Sequence, residues 1–240
     1  MRMRPASCWR KRGVRRLQGE GELSAALRLL PQLPLAGRLL TGDALYCQQE
    51  VCRQVLAAGG DYLVTVKDNQ PTLHAAIALL FAQPPPGELF ATTAQIGQHG
   101  DRLELRQLTA STALNTYLTW PGAQQVFQVV RTVRRKGTLT TQVRYGVTSL
   151  GPDRATATAL LRHRRGHWAI ENRLHWVRDE TFGEDACQVR SGAAPQVLAA
   201  LRNSVLGLLR QWRTPNIAAG LRTLAWQPQA PLLLLGIRLP

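Results

Sequence analysis

Histidines, carboxylates and arginines crowd together between residues 163 and 185, the densest group of chemically capable side chains in the sequence. Residues four apart lie on one face of a helix. That spacing predicts a single ridge for His163, His167, Glu171 and His175. A carboxylate on such a ridge, with arginines around it, either holds a divalent metal near phosphate or pairs with an arginine. The spacing alone favours the ion pair, because most charged helix faces are only solvated.

A second carboxylate, Asp43, follows the short apolar run Gly37 to Thr41, where the pattern predicts a buried strand. Ligands and catalytic groups gather at strand ends in α/β sheets. An aspartate at such a place also serves as a cap or turn residue. The residues alone leave both roles for Asp43 open.

Helical and strand patterns alternate around Asp43. Residues 22–30 and 48–58 have helical spacing, residues 61–66 (DYLVTV) predict a second strand, and a proline begins a further helix over residues 71–80. This order is typical of an α/β core.

The second half of the chain changes from strand to helix. Residues 88–150 are rich in valine and threonine and contain a hairpin with a basic turn at residues 134–137. Helical spacing returns from Arg154, and one later helix carries a clean apolar stripe: Val197, Leu201, Val205, Leu208 and Trp212. We therefore expect four segments: a basic disordered arm (1–19), the first part of an α/β core (20–87), a β-rich insertion (88–150) and a helical completion of the core (151–240).

The charge balance predicts a polyanionic partner. Lysine and arginine number 30 against 15 aspartates and glutamates, a net charge of +15. Nucleic acid is the commonest partner for such an excess. A coding bias toward arginine is the alternative explanation, since lysine occurs only at positions 11, 67 and 136.

Cysteine usage predicts a cytosolic protein with reduced thiols. The four cysteines form no Cys-x2-Cys pair, and Cys47 and Cys52 are predicted to pack in the core. A secretion signal requires an apolar segment after its basic first residues, and the basic first residues of this chain are not followed by one. The apolar run Leu232 to Leu235 is too short to cross a bilayer.

Four motifs occur in order along the chain: Thr41–Gln48 (TGDALYCQ), Asp61–Val64 with Lys67–Pro71 (KDNQP), His99–Arg106 (HGDRLELR), and the block His167–Asp185. Together they resemble the DDE transposases of bacterial insertion sequences, in the H-repeat-associated branch of the insertion-sequence-four-like superfamily. The resemblance runs from about Glu20 to the end of the chain.

The resemblance implies a ribonuclease-H-like core with a β insertion and C-terminal helices, and two Mg²⁺ ions (or Mn²⁺) held by three carboxylates. Asp43 matches the second carboxylate and Glu171 the third. The first belongs to an Asp-Gly-Lys turn, which does not occur here; only Glu20 and Glu22 precede Asp43. We therefore expect an amino-terminally truncated core that is inactive alone.

Other matched residues are expected to line DNA, both the terminal inverted repeats and the target. They are Lys67, Asn69, Gln70, His167, Trp168, Asn172, Arg173, His175 and Arg178. Arg178 occupies the place of the superfamily's signature lysine and is expected to contact phosphate. Trp168 and Trp176 either stack on an extruded base or pack in the core. Arg131, Arg134, Arg135 and Lys136 bind backbone or form a solvated hairpin tip. A complete protein is expected to be a homodimer in the bacterial cytoplasm, near the nucleoid and away from membranes.

Two other functions compete with DNA strand transfer. A non-catalytic remnant would bind DNA, with salt-dependent affinity and no Mg²⁺-dependent nicking. A metal hydrolase would use Glu171 and the histidines 163, 167 and 175, and would retain Zn²⁺ on purification. The hydrolase leaves Asp43 and the density of arginines unexplained.

Overall fold

The computed structural model describes residues 21–227, 229–234 and 236–237, so the predicted basic arm (1–19) lies outside the described residues. The chain divides into two compact units, one ending at His167 and the other starting at Trp168. The described helices are α1 (Glu22–Leu29), α2 (Gln49–Ala57), α3 (Pro71–Ala82), α4 (Ala157–His167), α5 (Ala194–Gln211), α6 (Ile217–Trp226) and α7 (Ala230–Leu234). The strands are β1 (Leu39–Gly42), β2 (Asp61–Val66), β3 (Ala91–His99), β4 (Arg102–Ser111), β5 (Gln125–Arg135) and β6 (Thr138–Thr148).

One mixed sheet organises the first unit, in the order β1-β2-β6-β5-β4-β3. β1 and β2 run parallel, and each of the other neighbouring pairs is antiparallel. The predicted α/β class is confirmed, and strands β3 to β6 lie within residues 88–150. Those strands extend the same sheet, because β6 pairs with β2 through residues 145–148.

β2 is buried at every position, and four of its six residues (DYLVTV) are apolar or aromatic. On one face Tyr62, Val64 and Val66 join the core formed with α2 and α3. On the other face Leu63 joins Leu160 and Leu161 of α4. Helices therefore cover both faces of the sheet where β1 and β2 lie.

The two cysteines predicted to be core residues are confirmed as such. Cys47 and Cys52 are free thiols with no solvent exposure. Burial, with a further contribution from the neighbouring thiol, raises the pKa of Cys47 to about 12. The pKa of Cys52 is also raised to about 12, chiefly by burial. Neither is therefore a thiolate at neutral pH.

A close approach between β5 and β6 requires a residue without a side chain at position 146. Gly146 pairs with Phe127, and an added Cβ would lie 2.6 Å from Cε2 and 2.8 Å from Cε1 of that buried ring. We expect Gly146→Ala to destabilise the protein by about 1–3 kcal/mol, the usual cost of overpacking. Chemical unfolding measures it. Gly97→Ala on β3 is the matched control, because a Cβ there meets no atom within 4 Å. Equal effects at the two positions would contradict this packing argument.

The second unit is helical, and the apolar stripe of α5 is only partly buried. Leu206 and Leu209 are its buried residues, packed with Val177 and Ile217. Most of the predicted stripe does not face the core: Val197 is 54% exposed, Leu201 57% and Trp212 52%. The physical reason is that the described packing on α5 lies toward its C-terminal half, where α6 contacts it. No helix among the described residues has the length and apolar character needed to cross a membrane.

Candidate functional site

Asp43 lies at the carboxyl end of β1, the same sheet edge at which the parallel strand β2 ends. Its side chain is exposed. Oδ1 of Asp43 accepts a hydrogen bond of 3.1 Å from the Leu45 amide. Asp43 thereby caps the start of a 3₁₀ turn over Ala44–Tyr46. The residue therefore combines the two roles that the sequence left open: it caps the following turn, and it places a carboxylate at a strand end.

The loop after β2 holds the Asp43 turn in place. Asn69 donates its side-chain amide to the Ala44 carbonyl at 2.7 Å. Gln70 donates to the Cys47 carbonyl at 2.9 Å and to Gln48 Oε1 at 3.2 Å. The amides predicted to contact DNA are thus used within the protein. Lys67, in the same loop, is exposed.

Removing these amides tests whether they position Asp43. We expect Asn69→Ala or Gln70→Ala to cost about 0.5–1.5 kcal/mol of unfolding free energy each, because a partly buried carbonyl loses its donor. Lys67→Ala, an exposed change in the same loop, is the control and should be neutral. Unfolding in urea provides the measurement. If DNA affinity fell while stability stayed constant, the amides would be DNA contacts as the sequence predicts.

The C-terminal turn of α4 lies beside the Asp43 end of β1. His167 Nδ1 is 3.2 Å from Thr41 Oγ1, and Thr41 precedes Asp43 by two residues on the same strand. Arg164, one turn earlier, interacts electrostatically with Asp43. Burial and the nearby charge of Arg144 lower the pKa of Arg164, while Asp43 opposes that shift. The last turn of α4 is therefore fixed near Asp43.

The predicted ridge of four residues does not continue as one α-helix. α4 ends at His167, and the chain then forms π-helical turns over Glu171–His175 and Val177–Thr181. Their i→i+5 hydrogen bonds widen the helix, so a four-residue spacing no longer keeps side chains aligned. Glu171 and Asn172 lie in the first of these turns, and their side chains are outside the described part of the structure. Such turns are frequent at functional sites.

The remaining residues predicted to contact DNA divide by exposure. Trp168 is 55% exposed, Trp176 is 57% exposed, and Arg173 is also exposed. His175 is half-buried, with a buried Nε2 that has no hydrogen-bond partner. Both tryptophans are exposed, so neither packs in the core, which was one of the two roles that the sequence allowed.

Arg178 departs from its expected role as a phosphate contact. Its side chain is 1% exposed and pairs with Glu184 through both Nε and Nη2. In this structure the guanidinium therefore serves a buried ion pair instead of facing solvent. Sequence reasoning missed Glu184 as a partner because six residues is not a helical spacing. Thr41 was also missed, although the period-two alternation of β1 places it on the Asp43 side.

The described side chains contain no group of three or more His, Cys, Asp or Glu that converge on a point. Asp43 contributes one exposed carboxylate, a hard oxygen donor suited to Mg²⁺. Among the side chains that the structure describes, the histidines of the zinc alternative form no such group. His167 contacts Thr41, and burial together with the charge of Arg162 lowers the pKa of His163.

Comparison with known proteins covers most of the chain. The family profile described as "Transposase DDE domain" matches residues 18–208. "Putative protein YbfL" and "H repeat-associated putative transposase YhhI", both from Escherichia coli K12, are each 28% identical to the chain over 211 residues; these cover 84% of the chain and 54% of each relative. "Putative transposase YncI" from Escherichia coli O157:H7 is 29% identical over 201 residues, 79% of the chain and 50% of that protein. The chain spans about half the length of these curated relatives.

Proposed function

This chain belongs to the transposase DDE domain family, and we propose that it is the later part of a catalytic domain that cleaves and joins the DNA of an insertion sequence. The observation that supports this most directly is Asp43, an exposed carboxylate directly after the partly buried parallel strand β1 and within the family match. The partner is double-stranded DNA, namely the terminal inverted repeats of the element and its target. The protein acts in the bacterial cytoplasm, as a homodimer when complete.

Asp43 and Glu171 are proposed to hold divalent metal ions, Mg²⁺ or Mn²⁺. When bound, such ions activate the attacking oxygen and stabilise the leaving one in phosphoryl transfer. Asp43 is presented by its turn, which Asn69 and Gln70 fix from the neighbouring loop. Glu171 is proposed from its place in the matched block His167–Asp185.

The third metal ligand is proposed to come from outside this chain. The chain contains no Asp-Gly-Lys turn, and it spans about half the length of its relatives. Among the described residues β1 pairs with β2 alone. Its sequence, LLTG, and the helices on both faces of the sheet are typical of an interior parallel strand. We propose that a strand carrying the first carboxylate pairs with this open edge of β1 and completes a ribonuclease-H-like sheet.

Exposed residues of the matched motifs are proposed as DNA contacts. They are Lys67, Trp168 and Arg173, with His167 and His175 partly accessible. Asn172 is proposed on the family resemblance alone. Arg178 is left out, because its charge is paired with Glu184.

Metal-dependent nicking of DNA tests the catalytic proposal. The substrate is a supercoiled plasmid carrying the inverted repeats of the element. A longer polypeptide that includes the segment with the first carboxylate should nick it with Mg²⁺ or Mn²⁺ and not with EDTA. This chain by itself should not nick. Metal-independent nicking by the longer polypeptide, or nicking by this chain alone, would contradict the proposal.

A second candidate is a DNA-binding protein without chemistry. It is favoured by the same observation that the chain covers only about half of each relative. Such a protein would bind the inverted repeats and compete with a complete transposase. Salt-dependent DNA binding with no nicking, even when the missing segment is supplied, would select it.

A further inference from the structure

The outer half of the antiparallel sheet has two chemically different faces. Register places Arg106 opposite Arg131, Arg102 opposite Arg135, and Val129 opposite Arg144. Because side chains alternate across a strand, these arginines share the face that carries α4. We call this set the cationic face: Arg102, Arg106, Arg131, Arg135 and Arg144.

The opposite face of the same strands is largely apolar. Ile96 is 74% exposed, Leu139 65% and Val143 48%, and Leu103 and Leu105 lie between them. Arg134 lies on this apolar face, because it neighbours Arg135 on β5. Two arginines adjacent in sequence therefore point to opposite sides of the sheet.

A single carboxylate organises the centre of the cationic face. Glu104 is 8% exposed, accepts hydrogen bonds from Arg131 and from Arg102 at 3.3 Å, and forms an ion pair with Arg106 at 2.7 Å. Burial opposes ionisation of Glu104, yet the hydrogen bond from Arg131 and the three positive charges hold its pKa below the ordinary value. Glu104 thus orients three guanidinium groups and neutralises one of them.

The cluster keeps an excess of positive charge at close range. Burial lowers the pKa of Arg106, and the charges of Arg165, Arg131 and Arg102 lower it further against the effect of Glu104. Arg165 belongs to α4 and donates to Gln95 on β3 at 2.6 Å. Arg102 has a buried Nε without a hydrogen-bond partner. Like charges held together in this way repel unless an anion neutralises them.

We propose that the cationic face binds the phosphate backbone of double-stranded DNA, with Glu104 as a positioning residue. The inference rests on the proposed function, which supplies DNA as the partner. Guanidinium groups suit phosphate because they donate in parallel pairs. The arginines repeat across strands about 4.8 Å apart and along strands about 6.8 Å apart. Repetition over several strands suits a polyanion better than a single small anion.

The test compares two variants of this chain that lose equal charge from different faces. Arg102→Gln with Arg131→Gln removes two charges from the cationic face, and Glu104 keeps Arg106 as a partner. Arg134→Gln with Lys136→Gln removes two charges from the apolar face and the hairpin tip. Affinity for a duplex of arbitrary sequence is measured in EDTA across a salt series. The slope of the logarithm of affinity against the logarithm of salt concentration should become shallower by about 0.9 for each phosphate that the protein no longer neutralises. For the first variant this is a change of about 1.8. The second should keep the slope of the parent chain.

Thermal unfolding of both variants accompanies the binding measurement. If the first variant does not fold, Arg135→Gln replaces it; that residue is exposed and should lower the slope by about 0.9. An equal decrease from both faces, or no decrease from the cationic face, overturns the inference. A parent chain that binds no duplex overturns it together with the DNA partner of the proposed function. If the salt slope decreases only in the cationic-face variant and the protein never nicks DNA, the inference about the cationic face is supported. Only the proposed catalysis then fails.

Discussion

Asp43→Asn is expected to reduce metal-dependent DNA cleavage by about 1000-fold in a protein that contains this chain and the segment with the first carboxylate. A metal ion contributes several kcal/mol of charge stabilisation in the transition state. Losing about 4 kcal/mol of it corresponds to roughly three powers of ten in rate. Single-turnover nicking of the inverted-repeat plasmid measures the change.

Asparagine is the informative substitution because it separates the two roles of Asp43. Its side-chain oxygen can still accept from the Leu45 amide, and asparagine caps helices about as well as aspartate. Stability should therefore change by less than about 0.5 kcal/mol, as for ordinary surface substitutions. Glu171→Gln should have the same effect on cleavage as Asp43→Asn.

Asp101→Asn is the matched control for Asp43→Asn. Asp101 is exposed in the turn between β3 and β4, and the same charge is removed there. Cleavage by this variant should stay close to that of the parent protein. Normal cleavage by both Asp43→Asn and Glu171→Gln would show that neither carboxylate holds a catalytic metal.

Arg178→Ala is expected to destabilise the second unit by about 2–3 kcal/mol. Removing one partner of a buried ion pair costs about 3–5 kcal/mol, because the other charge stays buried. The lower figure applies here, since Glu184 retains 18% side-chain exposure. Urea unfolding followed by tryptophan fluorescence measures the decrease in stability, with Trp176 and Trp212 as probes in this unit.

Two further variants separate the ion pair from a DNA contact. Arg222→Ala removes an exposed arginine from α6 of the same unit and should change stability by less than about 0.5 kcal/mol. Replacing Arg178 by Met and Glu184 by Leu together should recover most of the stability, because both charges leave the interior. Unchanged stability with weaker DNA binding in Arg178→Ala would restore the phosphate contact that the sequence predicts.

Local sequence patterns predicted most of the elements around Asp43. β2 begins and ends at the predicted residues, and α1 and α2 differ from prediction by one residue at their ends. Both cysteines of the first unit are buried as predicted. These successes share a cause. Apolar periodicity, and the glycines and prolines that end helices and strands, act over a few neighbouring residues.

The failures have a common cause as well. Spacing shows the apolar stripe of α5, yet which part of that stripe is buried depends on where α6 packs. The ridge from His163 to His175 assumed a regular helix, whereas the chain widens after His167. No short-range pattern reports either feature.

The sequence alone determined the family and the excess of arginine, and it supplied the two carboxylates, at positions 43 and 171, that are proposed to hold metal. Tertiary structure decided which polar groups meet: Asn69 with the Asp43 turn, His167 with Thr41, and Arg178 with Glu184. It also brought Arg102 and Arg106 of β4 together with Arg131 and Arg135 of β5 on one face of the sheet. The physical reason is that these pairings depend on strand register and helix packing between residues distant in the chain, whereas motifs and periodicity record only the chemistry of near neighbours.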